Sequence, residues 1–152
     1  MTDELPTMTL KAVGIVRNKV KQAPAERDWW QETVSEIVIE PCFTGALDGL
    51  GDFSHIIVLW WMHRVTSGEV PIRVRPMGRE GLPLVGLFAS RSPNRPNRIG
   101  KATVRLMERA GNILRVKGLD ALDSSPVIDI KPYIPGYDSV DDARVPPWIT
   151  NQ

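Results

Sequence analysis

The chain has 152 residues, 42% of them apolar and 24% charged, the proportions of one folded domain rather than of a disordered chain. Its net charge of +1 excludes a global field for nucleic acid, so any phosphate recognition must come from local clustering. The single cysteine, Cys42, excludes an internal disulfide framework and suits a reducing compartment.

Taken in chain order, MTDELPTMTL shows neither a basic n-region nor an apolar h-region, so no signal peptide is expected. Met8 to Val16 reads as the first strand and Val34 to Ile39, stopped by Pro41, as the second. Between them, Ala25 to Glu32 is a candidate helical turn, and Ala46 to Leu50 another. Ile56 to Met62 is a continuous apolar run that reads as a strand covered on both faces. The longest apolar run, His55 to Met62, is too short to cross a bilayer, so a cytoplasmic domain is expected. Leu84 to Ala89 is a short apolar strand whose glycine marks a bulge or a close backbone approach.

Alternation is clearest around Gly111-Asn112. Val104 and Leu106 alternate with Thr103 and Arg105 before that pair, and Leu114 and Val116 with Arg115 and Lys117 after it, which predicts a hairpin with a two-residue turn. Val127 to Tyr133 is the last strand, and beyond Gly136 an acidic, proline-broken tail reads as an arm on the body or on a partner. Residues 1–136 are thus expected to form the domain and 137–152 a C-terminal arm. Many short strands predict an all-β barrel or sandwich of mostly antiparallel strands with one or two short helices. No G-x-G-x-x-G and no P-loop is present, so a cofactor site would not be a Rossmann site.

Two segments carry most of the chemistry. RSPNRPNRIG, Arg91 to Gly100, holds three arginines, two prolines and no acid. Arg91, Arg95, Arg98 and the following Lys101 suit carboxylate or phosphate, the prolines stiffen the loop, and Asn94 and Asn97 offer donors and acceptors together. The plainer reading is a solvated turn whose arginines cap the rim. The second segment runs from Asp123 to Pro135. There Asp129 and Lys131 share one strand face, with Tyr133 two residues on. That group is catalytic or simply an ion pair. His55 beside Ser54 reads as structural, whereas His63-Arg64, where the central strand ends, is a better site candidate. Two separated histidines and one cysteine make no metal pattern, so no metal is expected. Trp60 and Trp61 should face opposite ways, one into the core.

Taken together, GIVRN, GDFSHIIVLWWMHR, VRP, GLFASRSPNRPNRIG and SSPVIDIKPYIP, in this order, resemble the YaeB-like or TrmO family. Its members are S-adenosylmethionine-dependent tRNA methyltransferases that modify threonylcarbamoyladenosine next to the anticodon. The resemblance covers Val13 to Tyr133 and implies a small β-barrel unrelated to the Rossmann methyltransferases, usually homodimeric. It implies donor-binding positions at His63, Arg64, Arg91, Lys101 and Gly118-Leu119-Asp120-Ala121-Leu122, with tRNA contacts at Arg95, Asn97 and Arg98.

The chain departs from the family pattern in three places. Pro24-Ala25-Glu26-Arg27 replaces a Pro-Arg-Gln, which would put Glu26 at the donor's ribose hydroxyls. Asp123-Ser124-Ser125-Pro126 replaces DGTP. Longer members also continue into a C-terminal domain. The implied reaction needs a proton acceptor, with Asp123 or Asp129 as candidates, and Lys131 or a loop arginine to hold the threonyl carboxylate. Competing readings are a methyltransferase for a small molecule or another nucleoside, and a non-catalytic S-adenosylmethionine- or RNA-binding module.

Overall fold

The computed structural model describes residues 3–65 and 68–149. Six strands close into an antiparallel barrel: β1 (Gly14–Arg17), β2 (Val34–Ile39), β3 (His55–Trp61), β6 (Ile99–Ala110), β7 (Ile113–Lys117) and β8 (Pro126–Pro132). Around the barrel the order is β1-β2-β7-β6-β3-β8, and β8 closes on β1 through Gly14↔Val127 and Ile15↔Pro126. Closure leaves no unpaired edge among these strands. A separate ribbon pairs β4 (Arg73–Val74) with β5 (Val85–Gly86).

The core follows the period-2 pattern. Ile37 and Ile39 of β2, Ile56, Val58 and Trp60 of β3, Val104 of β6, and Leu114 and Val116 of β7 all point inward and are buried. Fully burying each such side chain contributes roughly 1.5–3 kcal/mol. In the middle of β3 both parities are buried, since Ile57 on the other face is also covered, as expected of an uninterrupted apolar run. The β6–β7 hairpin turns at Gly111-Asn112 with Gly111 at φ 61°. The Asn112 side-chain amide donates to Ile39 O at 2.6 Å, tying this turn to the end of β2.

Several boundaries differ from the sequence reading. The first strand begins at Gly14, not Met8, because its ladder with β2 ends at Gly14↔Ile39; Met8 and Leu10 are exposed. Ala25 to Glu32 forms turns and no helix, and Pro24 before it disfavours a regular start. The turn expected at Ala46 to Leu50 is split between 3-10 segments at Pro41–Leu47 and Leu50–Asp52, with left-handed Gly49 between them. Leu84 to Ala89 yields only the two-residue β5 followed by a 3-10 turn at Leu87–Ala89. The tail past β8 holds a four-residue helix, Pro135–Asp138, and a 3-10 turn at Pro147–Ile149; residues 150–152 lie outside the described part.

One irregularity decides which side chains of β8 face the interior. Trp60 pairs with Val127 and Leu59 with Asp129, so Ile128 is a bulge. Before it Val127 points inward; after it Ile130 does, packed against the core. Asp129 and Lys131 are thereby turned outward, opposite Leu59 and Ile57.

Candidate functional site

Where β3 leaves the barrel, three other segments converge on it and enclose a cavity of about 1080 Å³. This is at the upper end of the ~300–1,000 Å³ usual for small-molecule sites. One wall is the connection after β1, from Lys19 to Pro24, with Trp29. The second runs from Trp60 through Met62, His63 and Arg64 to Val65; Arg91 and Pro93 of the basic loop form the third. Asp120, Leu122 and Ser125, between β7 and β8, complete it.

Hydrogen bonds hold these walls together. The Asn18 backbone N–H donates to Asp123 Oδ1 at 2.9 Å, and its side-chain amide donates to Ser35 Oγ at 2.9 Å and Ala121 O at 3.0 Å. The backbone N–H groups of Asp123 and Ser124 donate to Val20 O and Val16 O, each at 2.8 Å. The β1 exit is thus laced to residues 121–124. In that stretch Leu119 and Ala121 are buried in the core, and the residues alternating with them, Asp120 and Leu122, line the cavity.

The electrostatics are mixed. Lys19, Lys21, Arg64 and Arg91 bring positive charge, and Asp120 is the one carboxylate among the lining residues. Asp120 is exposed overall, yet desolvation at the wall pushes its carboxyl up to about 6. Burial holds His63 below its ordinary value, helped by neighbouring Arg64 and opposed by Asp123. Its imidazole is therefore neutral at pH 7, and its buried Nδ1 has no hydrogen-bond partner. A buried polar atom without a partner costs about 1–3 kcal/mol, a cost that a bound polar ligand would remove. S-adenosylmethionine suits this lining: Trp29 and Trp60 offer apolar surface to a purine, the cations a carboxylate, and Asp120 and His63 polar partners.

The remaining sequence-predicted residues fall in three places. Arg91, His63, Arg64, Asp120 and Leu122 meet at the cavity. Gly118 closes β7, Lys101 points outward from β6 between inward Gly100 and Ala102, and exposed Glu26 does not line the cavity. Arg95 and Arg98 brace the loop itself. Arg95 Nη1 donates to Ser90 O at 2.8 Å and Ser92 O at 3.0 Å while its guanidinium lies 6.0 Å from the Phe88 ring centre. Arg98 Nη1 donates to Val65 O at 2.7 Å, fastening the loop to the β3 exit. Asn97 is exposed.

Asp123, Asp129, Lys131 and Tyr133 are not brought together. Asp123 serves Asn18 beside the cavity. On the outer face Asp129 and Lys131 form an ion pair at 2.8 Å, the hydrogen bond and charge of Asp129 raising the lysine's pKa. Tyr133 packs edge-on to His55, ring centres 6.4 Å apart, at the opposite end of β3, about 20 Å from His63 by strand rise. Asp129 instead borders a second, smaller cleft of about 400 Å³ under the 3-10 segments. The sequence reading missed the Lys19-to-Pro24 wall and the lacing role of Asn18. Their one signal was the basic spacing in RNKVKQ.

Among the described residues, no helix is long and apolar enough to cross a membrane. A family model described as the tRNA-methyltransferase O N-terminal domain matches residues 16–139. The chain is 47% identical over 134 residues to a probable S-adenosyl-L-methionine-binding protein of Methanothermobacter thermautotrophicus, covering 86% of this chain and 93% of that one. A probable S-adenosyl-L-methionine-binding protein of Archaeoglobus fulgidus is 44% identical over 139 residues, covering 90% of this chain and 37% of its own. A mouse tRNA (adenine(37)-N6)-methyltransferase is 39% identical over 94 residues, 62% of this chain and 22% of that protein. The crystal structure of TrmO from Pseudomonas aeruginosa matches with a TM-score of 0.71 at 30% identity, covering 91% of this chain and 62% of that one. The chain thus spans less than two thirds of several of these relatives. With its six-stranded barrel and matched span, this chain belongs to the TrmO family, of which it carries the N-terminal β-barrel domain.

Proposed function

We propose that this protein binds S-adenosylmethionine in the large cavity and methylates the N6 nitrogen of threonylcarbamoyladenosine beside the tRNA anticodon, as a cytoplasmic homodimer. The observation that carries the reading is the convergence of His63, Arg64, Arg91 and Asp120 on one cavity. Support comes from relatives whose names specify S-adenosyl-L-methionine binding and tRNA adenine-N6 methylation.

The donor supplies an electrophilic methyl on a sulfonium sulfur. This chain's part is to bind, orient and exclude water. Trp60 is fixed in the barrel wall and His63 follows on the same exit, so both reach the cavity with little freedom left to lose. Such alignment can supply roughly 7–11 kcal/mol of the barrier. The basic loop is held closed by Arg95 and Arg98, which leaves Arg91 to reach the ligand. The acceptor nitrogen is urea-like, its lone pair delocalised into a carbonyl and a purine, so alignment and proton removal both matter.

The test is incubation with S-adenosylmethionine and tRNA carrying threonylcarbamoyladenosine, followed by mass spectrometry of the digested nucleosides. A gain of one methyl on that nucleoside, absent with unmodified tRNA, supports the proposal. Donor binding without transfer would favour a second reading, a small-molecule or other nucleoside acceptor. One observation favours that alternative: Arg95 and Arg98 are already engaged within the loop, which reduces the charge available to RNA.

A further inference from the structure

We propose that Asp120 is the catalytic base that takes the proton from the acceptor nitrogen, an inference that rests on the methyltransferase reading above. Three carboxylates lie near one another in sequence here, and two have other employment. Asp123 accepts the Asn18 N–H through Oδ1, with Ser124 Oγ 3.4 Å from Oδ2. Asp129 is paired to Lys131 and accepts the Ile130 N–H, turned outward by the bulge at Ile128. Asp120 has no hydrogen bond or ion pair among the described residues and is the one carboxylate lining the cavity.

Its direction is set by its neighbours. Leu119 and Ala121 are buried on either side, so the backbone is fixed and the intervening side chain is delivered to the cavity wall. The charged and titratable groups on the same cavity are Lys19 and Lys21 from the β1 exit, His63 and Arg64 from the β3 exit, and Arg91 from the basic loop, with Asp123 behind His63. A carboxyl raised to about 6 by desolvation is charged at pH 7, yet more basic than an ordinary aspartate. In the step, the new N–CH₃ bond forms and the S–CH₃ bond breaks with its electron pair left on sulfur. The N–H proton passes to the Asp120 carboxylate and then to solvent.

Asp120→Asn tests this, with donor affinity by calorimetry and single-turnover methyl transfer measured at saturating donor and tRNA. The expected result is donor affinity within about twofold of wild type and a transfer rate lower by about 10²–10⁴-fold. The wild-type rate should rise with pH and level off above about 6, as the ¹³C chemical shift of the Asp120 carboxyl titrates over the same range. Asp123→Asn should retain that rising limb. An Asp120→Asn protein that transfers methyl at the wild-type rate overturns the inference. So does one that loses donor affinity tenfold while its rate at saturation is unchanged, because Asp120 would then hold the donor. A wild type that binds donor but methylates no threonylcarbamoyladenosine removes the functional reading itself, and this inference with it.

Discussion

Gly100 sits directly opposite Trp60 in the β3–β6 ladder, and a β-carbon placed on Gly100 would lie 2.5 Å from the indole ring. The close approach lets the indole lie against the β6 backbone, where it is buried in the core and also borders the donor cavity. One glycine therefore sets the position of a ring that serves stability and site together.

Gly100→Ala should destabilise the fold by about 1–3 kcal/mol, the usual cost of overpacking, and weaken S-adenosylmethionine binding by displacing the ring. Urea denaturation and calorimetry check the two effects. A Gly100→Ala, Trp60→Phe double variant should recover part of the lost stability, because the smaller ring leaves room for the methyl group.

His63 carries a pH prediction. Its folded pKa lies below the ordinary 6.5, chiefly through burial, so the unfolded chain takes up this proton first on acidification. Its contribution to stability is complete above pH ~6.5 and declines as the pH falls through its folded value. Donor affinity should be level between pH 7 and 8 and fall below pH 6.5; His63→Ala should lower affinity and abolish that component of the fall.

Asp120 has the opposite sign. Its pKa is raised from 3.8 to about 6, so between those values the folded state binds more protons and the group's penalty grows as the pH rises. Asp120→Asn should stabilise the protein at pH 7 by ~1 kcal/mol, after discounting for solvent that still reaches the carboxyl. That is about 2–4 °C in Tm. A gain in Tm with a loss of turnover would separate its chemical role from any structural one.

Ser124 adopts φ 69°, in the left-handed region, at the position where the family's DGTP has glycine. Ser124→Gly should relieve the side-chain strain and raise stability by about 0.5–1 kcal/mol. Ser124→Val should lower stability by more than that. Thermal melts of both variants decide the matter, and the Ser124 N–H to Val16 O bond is available in each.

Lys131 and Asp129 are paired on the outer face, remote from His63. Lys131→Met should leave S-adenosylmethionine affinity at the wild-type value, as measured by calorimetry. A clear loss would mean that the outer face of β8 communicates with the cavity.

The hairpin around Gly111, strand β2 and the buried run of β3 were legible because each strand carries its own period-2 pattern, and two small turn residues separate β6 from β7. The basic loop and the importance of His63-Arg64 were also legible, since charge, proline and the end of an apolar strand coincide there. The grouping of Asp129, Lys131 and Tyr133 into one catalytic set was not supported by their placement. Spacing of two implies one face only while the strand is regular, and the bulge at Ile128 changes which face is inside.

The sequence by itself determined a β-rich domain, the inward positions of its regular strands and, through specific motifs, its family. These are local properties of side-chain alternation, turn chemistry and motif composition. Tertiary structure alone decided that Arg95 and Arg98 fasten their own loop while Arg91 meets the cavity. It also decided that Asp123 is taken up by Asn18, 105 residues away, and Asp120 is not. Those assignments depend on which distant carbonyl or amide comes within hydrogen-bond reach when the barrel closes, and that distance is set by the whole ladder rather than by any neighbour in sequence.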